Sequence, residues 1–313
     1  MYITDELVFL SVLSGGTDMR KMYSAEDIVF EVIKVLFFGG FLFVTLYPLI
    51  NLTILSFTGG ADNRICLWPN NRIRDTYDIL FNYNNKIVIT ALKNSFLRTV
   101  TGTSVSVVLN SVLAYIISRK RFLFRRSVSL FWIGTMFVNG GLVPTFLVMK
   151  WLGFVGSFWV YVIPGAVSAV YVFIIRAYME SISDSIEESA ELDGAGYWTI
   201  FTRVISPLCK PVYATIALFA ATYQWNAWFD AFIYNRYEYK QLTVVQYELM
   251  KVVSSISAKS VYDNLIHEPT SNTTLTSVVA AFTIVATVPV ICVYPFFQKN
   301  FINAVKLGIV KQR

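Results

Sequence analysis

Long apolar runs alternate with short polar, often basic, stretches along this chain. The runs are too long for β-strands and too continuous for the one-sided helices of a soluble domain. A bilayer core of about 30 Å needs about 20 apolar helical residues. Six segments approach or reach that length: residues 35–57, 95–118, 127–149, 155–175, 212–229 and 275–297. The first and fourth hold no charge, and the second holds only Arg98, near its start. The pattern predicts an all-α, polytopic membrane protein of about six transmembrane helices. Proline recurs within or beside the runs, at Pro48, Pro144, Pro164, Pro289 and Pro295. Each removes a helix hydrogen bond and favours a kink, as in a bundle packed around a pathway.

Charge sets the expected orientation. Arg119, Lys120, Arg121, Arg125 and Arg126 crowd the short loop after the second run. Short loops rich in Lys and Arg stay in the cytoplasm. With six spans both termini are then cytoplasmic, which suits Lys299, Lys306, Lys311 and Arg313 in the tail. Residues 58–90 and 233–273 fall on the outer side. Residues 1–30 read as a cytoplasmic N-terminal tail and 31–313 as the transmembrane domain.

Composition agrees. The chain is 55% hydrophobic and 15% charged, against about 25% charged in soluble domains. Beside such spans the net charge of +6 reads as a cytoplasmic basic surplus rather than a nucleic-acid surface. Cys66, Cys209 and Cys292 show no metal-type spacing. One histidine, His267, cannot supply a catalytic constellation.

The segment 181–211, between the fourth and fifth runs, has its own helical pattern. Ser183 or Asp184 can cap a start, with Glu187 at capping-box spacing from Asp184. Gly194 ends the helix or turns it sharply, and Pro207 and Pro211 mark the approach to the next run. The helix is acidic, which disfavours a resting place on an anionic leaflet. Small residues at Ser189, Ala190, Gly194 and Ala195 suit close docking into another protein.

These residues resemble the EAA motif of ABC importer permeases. Glu188-Ser189-Ala190 and Gly194 stand at the motif's spacing, followed by Val204-Ile205-Ser206-Pro207. Ser189, Val204 and Ser206 depart from the usual Ala, Ile and Leu. Leu46-Tyr47-Pro48-Leu49, Gly140-Gly141-Leu142-Val143-Pro144-Thr145, Ile163-Pro164-Gly165-Ala166 and Trp225-Asn226-Ala227-Trp228-Phe229-Asp230 extend the likeness. The chain looks like a permease of the carbohydrate-uptake, maltose-type class, nearest the lipoprotein-associated permeases of Gram-positive bacteria.

The resemblance implies a type I importer permease fold in a bacterial plasma membrane. It implies a cytoplasmic coupling helix, with Glu187, Glu188, Ser189, Ala190, Asp193, Gly194 and Tyr197 docking an ATPase subunit. It implies two such nucleotide-binding subunits, a second homologous permease, an extracellular solute-binding lipoprotein and a carbohydrate substrate. This chain then binds no cofactor of its own; ATP and Mg belong to the partner subunits. Consistently, no phosphate-binding Gly-x4-Gly-Lys-Ser/Thr loop occurs. Trp225, Asn226, Trp228 and Asp230, with Asn139, are candidate pathway residues, because aromatic faces stack on sugars and amides and carboxylates take hydroxyls. The tryptophans also fit an interfacial belt, and Asp230 a headgroup-level pair. An ion-coupled secondary transporter would place ionisable residues deep in several spans. A non-transport sensor or assembly protein would have no stable ATPase partner.

Overall fold

The computed structural model describes residues 25–57, 75–82, 87–138, 140–235, 239–255 and 275–310. Among them every regular element is helical. The chain divides into two compact units, residues 1–51 and 52–313. The described part of the first is one helix, α1 (Ala25–Phe57), which runs on into the second unit. From Val35 to Val44 it is apolar and exposed on all sides, Phe37 and Phe41 included. A helix apolar all round has no water-facing side and belongs in lipid.

The second unit is built on α3 (Ile87–Ser118), which follows the short α2 (Asp75–Asn82). Arg98, Gly102, Ser106, Asn110, Ala114 and Ser118 recur along α3 at intervals of four and are all buried. In lipid the inward face of a helix is marked by small and polar residues, because only there do they find partners. After α3 come α4 (Arg125–Phe137) and α5 (Leu142–Trp151), which meet at 117°. Then follow a 3-10 turn (Phe158–Tyr161), α6 (Ala169–Met179) and α7 (Asp184–Leu192). Helix α8 (Tyr197–Leu208) meets α9 (Lys210–Asn226) at 79°. A short α10 (Phe229–Tyr234), a 3-10 turn (Lys240–Leu242), α11 (Val245–Ser255) and α12 (Leu275–Val310) complete the unit.

Among the described residues, three helical stretches are long and apolar enough to cross a bilayer unbroken: Val29–Phe57, Ile87–Ser118 and Thr276–Val293. The bent pairs α4–α5 and α8–α9 each pass the same test together. The expectation of a continuous helical span over 155–175 is corrected. Only α6 is α-helical there, and the preceding stretch holds a 3-10 turn and bends. Gly153 and Gly156 have positive φ, +75° and +77°, a region open to glycine, and Pro164-Gly165 follow in a turn. Irregular backbone at membrane depth survives only where protein satisfies it. Here Asn110 on α3 donates to the Ala166 carbonyl (3.0 Å) and accepts from the Ser168 N–H (2.9 Å). Tyr161 donates to the Leu242 carbonyl (2.6 Å).

The core has three parts. One joins the C-terminal half of α3 to α6, α8 and the start of α9 around Ile117, Ile175, Ile200 and Ile216. A second joins α2, the start of α3, α11 and α12 around Val88 and Phe282. The third packs the 3-10 turn at Val160–Val162 against Ala231, Val244 and Tyr247.

Candidate functional site

Helix α7 is a short acidic rod held at both ends. Ser183 is its N-cap in extended backbone (ψ 132°), but its hydroxyl meets the Ser185 hydroxyl at 2.8 Å rather than a backbone N–H. The expected capping box does not form. Asp184 and Glu187 turn instead toward the basic loop after α3. Lys120 donates to Asp184 (2.6 Å), Arg119 pairs with Glu187, and Arg121 donates to both oxygens of Glu191 (2.8 and 2.6 Å). The carboxylates stand on successive turns, so three consecutive basic residues meet one face of the helix. Arg119 also lies over the Tyr115 ring, 4.9 Å from its centre. The Lys120 ammonium, hydrogen bonded to Asp184, holds that carboxyl below its ordinary value.

Gly194 closes the helix at φ +80°. Ala195 N–H donates to the Ala190 carbonyl (3.0 Å) and Gly194 N–H to the Glu191 carbonyl (2.9 Å). This pair of bonds is a Schellman motif, which needs the left-handed residue that glycine supplies. Ala190 and Ala195 pack against the core around Ile200 and Ile205. The opposite face is open: Glu188, Ser189, Leu192, Asp193, Tyr197 and Trp198 are exposed, Leu192 to 90%. Of the seven residues expected to dock a partner, Glu188, Ser189, Asp193, Gly194 and Tyr197 lie on this open surface. Glu187 and Ala190 instead hold α7 to its own chain.

Helix α8 joins α7 to the bundle. Its middle, Ile200–Ile205, is π-helical, and the Phe201 ring lies against Tyr115, tilted by 38° with ring centres 5.0 Å apart. Such π-turns interrupt the regular ladder and recur at functional joints. The 79° bend to α9 falls at Cys209, between Pro207 and Pro211.

The second cluster of sequence candidates lies toward the other end of α3. Trp225 is buried and donates to the Ala286 carbonyl (2.9 Å), so its indole fastens α12. Trp228 is half-buried beside Phe229 and Phe232. Asn226 is exposed and accepts from Gln246 (3.3 Å). Asp230 pairs with Arg98 at 2.5 Å. Asn139 lies outside the described residues. Asn226 belongs to a stripe on α9 with Phe219, Thr222 and Tyr223, all exposed and spaced so that they share one face. Phe219, Thr222, Tyr223 and Arg98 are not among the candidates that the sequence marks. The signal was present: a four-residue recurrence of Arg98, Gly102, Ser106 and Asn110 inside a run with no other charge.

Comparison with known proteins agrees with this geometry. Residues 98–307 match the family described as binding-protein-dependent transport system inner membrane component. The polygalacturonan/rhamnogalacturonan transport system permease protein YtcP of Bacillus subtilis (strain 168) is 32% identical over 286 residues, covering 90% of this chain and 98% of that protein. Protein LplC of the same organism is 29% identical over 289 residues, covering 90% and 95%. The crystal structure of a bacterial ABC transporter involved in the import of the acidic polysaccharide alginate contains a chain 31% identical, with a TM-score of 0.81, covering 91% of this chain and 100% of that one. A bent, multi-pass helical bundle with an ion-paired acidic helix, matched over most of its length, thus belongs to the binding-protein-dependent transport system inner-membrane components, the permeases of ABC importers.

Proposed function

We propose that this chain is the permease subunit of an ATP-driven importer of carbohydrate oligomers, with α7 as its coupling helix. The observation that carries the reading is the open face of α7, where Glu188, Leu192 and Tyr197 project from a rod fixed on its other side. An exposed leucine on a stiff, charged support is a docking anchor: apolar area binds and the rim orients. The carbohydrate substrate is supported by relatives whose names specify polygalacturonan/rhamnogalacturonan and arabinooligosaccharides, and by the alginate importer.

In this reading the segment 181–211 reaches into the cytoplasm, where both termini also lie. Residues 1–30 form a tail and 31–313 the transmembrane domain. Two separate ATPase subunits carry ATP and Mg, and this chain binds neither. Their closure moves α7; the movement passes through α8 to the bend at Cys209 and turns α9. A second permease faces this one, and an extracellular solute-binding lipoprotein delivers substrate. The α9 stripe of Phe219, Thr222, Tyr223 and Asn226 lines the pathway. A polar stripe exposed on a helix at membrane depth needs a partner other than lipid. Tyr223 and Phe219 offer stacking faces, and Thr222 and Asn226 offer hydroxyl and amide groups.

The test is uptake of oligogalacturonides, alginate oligomers and arabino-oligosaccharides by membrane vesicles holding the whole transporter. Uptake should need ATP, and Glu188→Arg should abolish it without loss of the inserted chain. Uptake that survives ATP depletion and collapses with the ion gradient would refute the reading, as would normal uptake by Glu188→Arg.

A further inference from the structure

Arg98 lies within a membrane-crossing helix and is 1% exposed. All five of its N–H groups are satisfied. Nε and Nη2 donate to Gln224 Oε1 (3.2 and 3.0 Å), Nη1 to the Ala227 carbonyl (3.0 Å) and Asp230 Oδ1 (3.1 Å), and Nη2 also to Asp230 Oδ2 (2.5 Å). The guanidinium stands 4.4 Å from the centre of the Tyr161 ring. These acceptors share a location. Gln224 and Ala227 are next in sequence to Tyr223 and Asn226. Helix α9 ends at Asn226, and Ala227 turns to extended backbone (ψ 120°) before α10. Its carbonyl leaves the helical ladder there and takes a bond from Arg98. Gln224 in turn donates to the Tyr161 carbonyl (3.2 Å) and lies so close to Gly102 that a Cβ there would come within 2.5 Å of its Nε2. One turn of α3, from Arg98 to Gly102, thus backs the end of α9, while Tyr161 and Ala286 supply carbonyls from elsewhere.

We infer that Arg98 is a positioning residue for the transport pathway: it pins the joint at Ala227 and so sets where Tyr223 and Asn226 stand. The inference rests on reading the α9 stripe as substrate-facing. It explains why a charge sits inside a membrane-crossing helix at all, since an apolar residue would fill the space but could not bond a carbonyl, an amide and a carboxylate together. It also explains arginine over lysine, because one ammonium cannot span those three acceptors.

The test uses the complete transporter in membrane fragments open on both sides, with the native Cys66, Cys209 and Cys292 replaced by serine. Tyr223→Cys reports the stripe and Leu123→Cys, in the loop after α3 and 92% exposed in the parent, serves as the distant control; a water-soluble maleimide labels both. Arg98→Lys and Gly102→Ala, which reach the joint by different routes, should each change the Tyr223→Cys labelling rate about fivefold or more while Leu123→Cys keeps its rate. Tyr223→Cys rates that stay at the parental value in both variants overturn the inference. So do rates that shift equally at both sites, because that marks general loosening. If uptake of all three sugar classes ignores Tyr223→Ala and Asn226→Ala, the pathway reading itself fails and the inference falls with it. If uptake responds but labelling does not, only the inference falls.

Discussion

Two sets of ion pairs, about 30 Å apart along α3 at 1.5 Å per residue, use the same chemistry to opposite ends. At Arg98–Asp230 the cation is 1% exposed and its partner 24%. At Lys120–Asp184 the side chains are 77% and 61% exposed, with Arg121–Glu191 at 67% and 25%, and Arg119–Glu187 is shielded at 17% and 13%. Water screens an exposed pair and offers each charge an alternative partner, so its net worth is small. A buried guanidinium has no alternative, so losing one acceptor leaves an unpaired charge. The buried pair therefore dictates backbone position, while the open ladder mainly gives α7 its facing. The hold on α7 itself comes from the shielded Arg119–Glu187 pair, the Gly194 turn and the packing of Ala190 and Ala195.

The sharpest way to break this contrast is Asp230→Leu, which leaves Arg98 buried beside an apolar residue. Thermal unfolding of the detergent-solubilised chain should show a loss of about 3–5 kcal/mol, and the double variant Arg98→Met/Asp230→Leu should recover much of it. Equal losses in the single and double variants would mean that burial does not separate the two ends. Next in size is Gly194→Leu. A Cβ there meets nothing within 4 Å, so the whole effect, about 1–2 kcal/mol, is backbone strain at positive φ. Gly194→Asn should lose only a few tenths, and equal effects for Leu and Asn would assign the site to packing instead. Smaller again is Arg119→Gln, about 1 kcal/mol by the same melt, because Glu187 is shielded yet still reaches Tyr115 (3.4 Å).

Asp184→Asn is the smallest. The Lys120 ammonium lowers the Asp184 carboxyl value, so any stabilisation is present above the ordinary carboxylate range and lost as pH falls through the lowered value. With both partners open to water, unfolding measured across that acidic window should match between Asp184→Asn and the parent. A clear difference would show the ladder to be more than a surface feature.

Much of the fold was legible because a bilayer imposes simple rules on sequence. The apolar runs and the basic loop at Arg119–Arg126 each follow from a cost that lipid exacts locally. Gly194 was legible too, since a helix end needs a residue that tolerates positive φ. Less legible was the segment 155–175, whose uninterrupted apolarity hid a break. Its irregular backbone is tolerated only because Asn110, 56 residues earlier, bonds Ala166, and no local rule reports that. Asp184 and Glu187 were misjudged for a related reason: a capping box is the best local use of those carboxylates, but Lys120 and Arg119 outcompete it from 64 and 68 residues away.

What the sequence alone determined, then, is which stretches enter the membrane and where a rigid acidic helix must stop, because hydration and backbone strain act on neighbours along the chain. Only the tertiary structure decided that Trp225 fastens α12, that Asn226 stands with Tyr223 on an open face, and that Arg98 grips residues 126 to 132 positions away. Hydrogen bonds and ion pairs act over a few ångströms, and that proximity is created by packing, not by order in the chain.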